Sequence, residues 1–160
     1  MKPYRVTASS IIEAPAELVY RTLADYHHGH PSILPKPHFL SLEVEQGGFG
    51  AGTIVNCKVR VFGRVQSFRA AITEPDPGRV LAETNLGEGG GVTKFIVEPL
   101  DDGKRTEVTI ATEAATRRRW GLGTVERLLT MMWLQRIYKA ELKQLAGVCE
   151  RTLTSGSKTP

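Results

Sequence analysis

The sequence predicts an α+β domain in which a curved antiparallel sheet of about seven strands wraps around one long C-terminal helix. Three observations predict it. From Gly123 to Leu153, apolar residues at Leu128, Met131, Leu134, Tyr138, Leu142, Leu145 and Cys149 step by three and four, which puts them on one helix face. At the usual rise, ~29 helical residues span roughly 43 Å, as long as a small domain is wide. Most of the chain before that run alternates with period two between glycine, proline and aspartate turns, the pattern of consecutive antiparallel strands. Strands joined by hairpins curl because strands twist, and a long apolar stripe needs such a surface to lie on.

Taken in order, Tyr4 to Ile12 alternates weakly and reads as the first strand. Pro15 then opens a helix at a position where its missing N–H costs nothing. Leu18, Val19, Thr22, Leu23 and Tyr26 give that helix one apolar face, and it ends near Asp25. Pro31, Pro35 and Pro37 restrict the next segment to a short helical turn around Ser32 to Leu34. Strands are expected at Phe39 to Glu45 and Thr53 to Val61, with Val55, Cys57, Val59 and Val61 facing one way. A tight turn at Phe62-Gly63 leads to Arg64 to Glu74, and Pro75-Asp76-Pro77-Gly78 is a turn. Arg79 to Thr84, Val92 to Leu100 and Thr106 to Thr116 complete the strands, the last two joined at Asp101-Asp102-Gly103.

The final helix is not uniform. From Val125 to Leu134 it is apolar nearly all round, because Leu129, Met132 and Trp133 point off the stripe. That predicts burial on more than one side, as added core, as the wall of a ligand cavity, or as a subunit contact that leaves a homodimer open. Thr124 is the expected N-cap, and residues 154–160 form a polar tail expected to be disordered.

One hundred and sixty residues favour a single domain over 1–153, with enough core to need no staple. The net charge of +4 lacks the basic stripe and interleaved aromatics that nucleic acid would require, so no nucleic-acid partner is expected. Cys57 and Cys149 both fall on apolar faces and read as buried thiols in a reduced compartment. With no signal-peptide pattern and no apolar run long enough to cross a bilayer, a cytoplasmic protein without integral membrane association is expected.

The stretch Ile12-Glu-Ala-Pro15-Ala-Glu-Leu-Val19-Tyr20-Arg-Thr-Leu23-Ala-Asp25 resembles the opening of the START-like, or SRPBCC, superfamily of polyketide cyclases/dehydrases and lipid-transport proteins. The run from Phe95 to Val108 resembles that family's penultimate hairpin, and Gly50-Ala-Gly52-Thr53 and Pro77-Gly78-Arg79-Val80-Leu81 fall where it has similar turns. The resemblance runs from Tyr4 to about Arg151. It implies a Bet v 1-like helix-grip fold with a hydrophobic cavity between sheet and C-terminal helix. It implies no single activity, since members include lipid carriers, aromatase/cyclases, hormone binders, quinone-binding proteins and co-chaperones.

Setting the inward strand faces against the helix gives an expected ligand-binding wall of Val55, Val59, Phe68, Thr93, Phe95, Val97, Ile110, Thr112, Met131, Leu134 and Tyr138. Thr93, Thr112, Cys57 and the Tyr138 hydroxyl are its polar groups, and the same side chains could instead fill a core without a void. His30, Trp120 and Trp133 are placed at the cavity mouth. His27, His28, His30 and His38 cluster in a proline-broken segment with no nearby cysteine, a poor metal frame, so neither a metal nor a cofactor is expected. Glu13, Glu43, Glu83, Glu98, Glu107 and Glu113 mostly alternate outward, and no nucleophile–base–orienter set stands out, so no catalytic residue is assigned. Gly47 to Gly52 and Gly87 to Gly91 each lead into a strand and read as hairpin loops rather than phosphate loops. Arg117 to Arg119 is the densest positive charge and reads as a solvated loop.

The function expected is binding, for carriage or sensing, of a hydrophobic small molecule such as a lipid, isoprenoid, quinone or polyketide. The alternative is a cofactor-independent cyclase, dehydratase or aromatase. A further alternative is a protein-interaction module of the co-chaperone or ribosome-associated kind, for which Leu129, Met132 and Trp133 beside Arg117 to Arg119 are the pointer.

Overall fold

The computed structural model describes residues 2–88, 90–100, 103–116 and 123–156. The elements in order are β1 (Lys2–Ile12), α1 (Ala16–Ala24), α2 (Gly29–Ile33), β2 (Phe39–Gln46), β3 (Ile54–Val61), β4 (Arg64–Asp76), β5 (Val80–Asn85), β6 (Gly91–Pro99), β7 (Thr106–Thr116) and α3 (Gly123–Gly156). The strands form one seven-stranded antiparallel sheet ordered β1-β7-β6-β5-β4-β3-β2. From β3 to β7 each strand pairs with its predecessor, and β1 pairs with β7, with Lys2 opposite Thr116 and Ile12 opposite Thr106. This is the helix-grip fold, a curved sheet holding a long C-terminal helix.

Alternation puts Val55, Cys57 and Val59 of β3, Ala70 and Ile72 of β4, Leu81 of β5, Phe95 and Val97 of β6, and Val108 and Ile110 of β7 on the inner face, all buried. Against that face α3 buries Ile137, Tyr138, Leu142, Leu145 and Cys149. The stripe does not continue to the helix start. Val125, Leu128, Leu129 and Met132 are 47–59 % exposed, so within 125–134 burial is partial and confined to the side of Met131, Trp133 and Leu134. Helix α3 packs chiefly on β1, with further contacts to α2, α1 and β7.

Several boundaries differ from the sequence reading, each for a local reason. Pro15 is the N-cap of α1 rather than its first residue; its carbonyl accepts the Val19 N–H at 3.1 Å. Helix α2 begins at Gly29, three residues before the expected turn, and tolerates Pro31 because a first-turn N–H has no intrahelical partner. Strand β4 continues to Asp76 through a register shift after Thr73, which absorbs Pro75. Helix α3 runs to Gly156, so the polar stretch begins later than 154; residues 157–160 lie outside the described residues, as do 101–102 and Arg117 to Arg119.

The 47–53 connection is more than a hairpin loop. It docks on the end of α1, with the Tyr26 N–H donating to Gly48 O at 2.9 Å and the Gly50 N–H donating to Ala24 O at 3.0 Å. Gly48 has φ +138° and lies so close to the His27 ring that a Cβ would overlap it. Glu74 holds the same loop from β4, accepting the Ala51 N–H at 2.8 Å and the Tyr20 hydroxyl at 2.7 Å.

Candidate functional site: a cavity with an acidic inner end

Because α3 rests on β1, α1 and α2, while β3, β4 and β5 curve past it, a gap is left between helix and sheet. It forms a cavity of about 560 Å³. Its apolar wall comes from Val55, Cys57 and Val59 of β3, Phe68 and Ala70 of β4, Phe95 of β6, and Leu134 and Ile137 of α3. Leu34, Phe39, Leu42 and Trp133 extend this wall, and Trp133 meets the His38 ring edge-on at 5.9 Å. Exposed Glu88 and Glu126 mark one end of the cavity. Buried His30 and Glu141 mark the other.

That inner end is polar. Tyr26 donates its hydroxyl to Glu83 Oε1 at 2.6 Å, and His30 Nε2 lies 3.4 Å from the same oxygen. His30 Nδ1 is 2.8 Å from Leu23 O, and a carbonyl accepts only, so Nδ1 carries a hydrogen. The His30 ring is fixed further by stacking on Tyr26 at 4.5 Å and by edge contact with Phe95 at 5.4 Å.

Glu141, 4 % exposed, lines the cavity from α3 and makes no hydrogen bond among the described residues. Burial first, and the neighbouring Glu83 charge second, hold its carboxyl well above the ordinary carboxylate range. The same surroundings push the Cys57 thiol up to about 12, making it a poor nucleophile. Nearby, Thr112 hydrogen-bonds to the Tyr138 hydroxyl and to Thr93 Oγ1, the latter at 2.7 Å. Burial raises Tyr138 above the usual phenol value, so this chain of hydroxyls is uncharged at neutral pH.

Of the residues expected on the wall, the cavity brings together Val55, Val59, Phe68, Thr93, Phe95, Thr112, Leu134 and Tyr138. Val97 and Ile110 are fully buried core instead, because α1 packs over β6 at that end of the sheet. Met131 is half-buried against the core, off the cavity wall. Among the residues placed at the mouth, Trp133 does line the cavity, whereas His30 belongs to its closed end and Trp120 lies outside the described residues. His27, His28 and His38 do not converge with His30, and no group of potential metal ligands occurs among the described residues.

Two important groups escaped the sequence reading. Glu83 shares its parity with Leu81, so it faces inward, opposite Thr93 and Ile72. Glu141 stands three residues after Tyr138 and four before Leu145, within the buried stripe itself. Those spacings were the available signals.

A curved antiparallel sheet gripping a long C-terminal helix over a cavity defines a helix-grip domain. A family model described as polyketide cyclase / dehydrase and lipid transport matches residues 3–150, and the chain belongs to that family. No curated protein matches the sequence. Among solved structures, the Zhui aromatase/cyclase from Streptomyces sp. R1128 is similar at 24 % identity and TM-score 0.80, over 95 % of this chain and 96 % of that one. A START superfamily protein from Mycobacterium smegmatis gives 16 % identity and TM-score 0.71, over 92 % and 98 %. A norcoclaurine synthase point mutant from Thalictrum flavum, in complex with a transition state analogue, gives 16 % and 0.72, over 94 % and 96 %. These likenesses establish the fold. No helix among the described residues is long and apolar enough to cross a membrane.

Proposed function

We propose that the protein binds a hydrophobic small molecule in the cavity between sheet and α3, with the molecule's polar group at the Glu83–Glu141 end. The observation that carries this reading is the cavity itself, about 560 Å³ in volume, with an apolar wall from β3, β4, β6 and α3 and polar groups at both ends. A ligand that buries an apolar body there gains roughly 25 cal/mol per Å² of apolar surface removed from water, and the few polar groups fix its orientation. Carriage or sensing of an isoprenoid, quinone or polyketide fits this arrangement.

A second reading is favoured by a specific observation. His30 Nε2 lies 3.4 Å from Glu83 Oε1 beside the raised carboxyl of Glu141, and titratable groups gathered in one cavity suit acid–base chemistry. A cyclase or dehydratase acting without a cofactor would use such groups, and an aromatase/cyclase and a synthase are among the proteins with this fold.

Native mass spectrometry of the freshly purified protein tests the binding reading. The expected result is one co-purifying hydrophobic molecule per chain, lost in Ala70→Phe, which places a ring in the cavity. An apo mass that a panel of hydrophobic ligands leaves unchanged would overturn it.

A further inference from the structure

Glu141 is a buried acid without a partner among the described residues, and that is the feature the binding reading leaves unexplained. Its side chain is 4 % exposed, opens onto the cavity and makes no hydrogen bond to any of them. Its carboxyl reaches the cavity surface and is not sealed inside protein, so the hydrogen-bond partner of that carboxyl comes from whatever fills the cavity.

The chemistry of that partner is set by the groups facing Glu141. Glu83 approaches from β5, Tyr26 from the end of α1, Cys57 from β3, and Tyr138 from one turn earlier on α3. None of these can carry positive charge. The nearest cationic candidate, His30, has both ring nitrogens committed, one to Leu23 O and one to Glu83. No lysine or arginine occurs among the described residues lining the cavity. Burial and the neighbouring Glu83 favour the protonated form of the Glu141 carboxyl, which has an O–H to donate and a carbonyl oxygen to accept.

We propose that the cavity takes an uncharged amphiphile whose carbonyl or hydroxyl oxygen accepts a hydrogen bond from the Glu141 carboxyl, and that it discriminates against carboxylates. The inference rests on the binding reading and narrows its substrate class. A carboxylate would bring negative charge beside the Glu83 and Glu141 carboxyls, where no lysine or arginine of the described residues lines the cavity. A ligand ammonium would instead need Glu141 ionised.

The test is calorimetric titration of the full chain at neutral pH with three matched probes: acetylnaphthalene, naphthoate and (aminomethyl)naphthalene. Acetylnaphthalene is expected to bind tightest, about 10-fold or more ahead of naphthoate. Glu141→Gln keeps an uncharged donor and acceptor in the same place, and is expected to hold acetylnaphthalene within about 3-fold. Glu141→Leu is expected to lose about 10-fold while melting no lower than the parent, so that the loss is not one of folding. Naphthoate binding as well as the ketone would overturn the inference. So would tightest binding of the amine with loss in Glu141→Gln, or an unchanged affinity in Glu141→Leu. If the parent protein bound none of the three, the binding reading would fall and this inference with it.

Discussion

At the residue scale, Glu141 sets stability against function. Its folded-state affinity for a proton is raised by burial and by Glu83, so the folded chain binds more protons than the unfolded one above the ordinary value of 4.5. Stability from this group is therefore complete below about 4.5 and falls as pH rises toward its elevated folded value. Tyr26, Cys57, Tyr138 and the His30–Glu83 pair are the other titratable groups around it. Replacing it with an apolar side chain removes the penalty, so Glu141→Leu should raise stability at neutral pH by about 1–3 kcal/mol. Denaturant melts across a pH series should show that gain shrinking toward pH 4.5. A variant that gains stability while losing ligand has the signature of a residue retained for binding. Glu141 was hidden in the sequence because periodicity is read from apolar residues, and an acid at stripe spacing reads as a break in the pattern.

At the scale of elements, the β3–β4 hairpin and α3 give opposite lessons. Phe62 and Gly63 both have positive φ, +47° and +78°, between the paired Val61 and Arg64, which is a two-residue turn of the kind that asparagine-glycine favours. Phe62 is 61 % exposed and gains little packing there. Phe62→Asn should therefore stabilise the protein by about 0.5–1 kcal/mol, as measured by chemical unfolding. The turn was legible in the sequence; the strained residue in it was not, because only the dihedrals show it. In α3 one periodic stripe covers two environments. Leu145 is 1 % exposed and Leu128 is 58 % exposed, although both lie on the same sequence pattern. Unfolding measurements should give Leu145→Ala a cost of about 2–5 kcal/mol and Leu128→Ala a cost under about 0.5 kcal/mol. Spacing announces which residues share a face; what lies opposite that face is a tertiary matter.

At the scale of the whole molecule, the fold was legible because β2 to β7 each pair with a sequence neighbour and most of them alternate, so local pattern and global topology largely agree. The exceptions are long-range. The docking of 47–53 onto α1 rests on backbone bonds from Tyr26 and Gly50, which no side-chain pattern announces. The cavity was legible as a wall, since Val55, Val59, Phe68 and Leu134 carry inward parity, but its polar end depends on β5, α1, α2 and α3 converging. The exposed face of Val125, Leu128, Leu129 and Met132 is a second apolar surface outside the cavity, and it is where the interaction-module alternative would act.

The measurement that separates the two surfaces most directly is amide chemical-shift mapping of the isotopically labelled protein during titration with acetylnaphthalene. Binding in the cavity predicts saturable shifts along β3, β4 and β5 and around Tyr138 and Glu141, with residues 125–132 unmoved. Shifts confined to 125–132, with the β3–β5 amides unchanged, would contradict the account and place the hydrophobic site on the outside of α3.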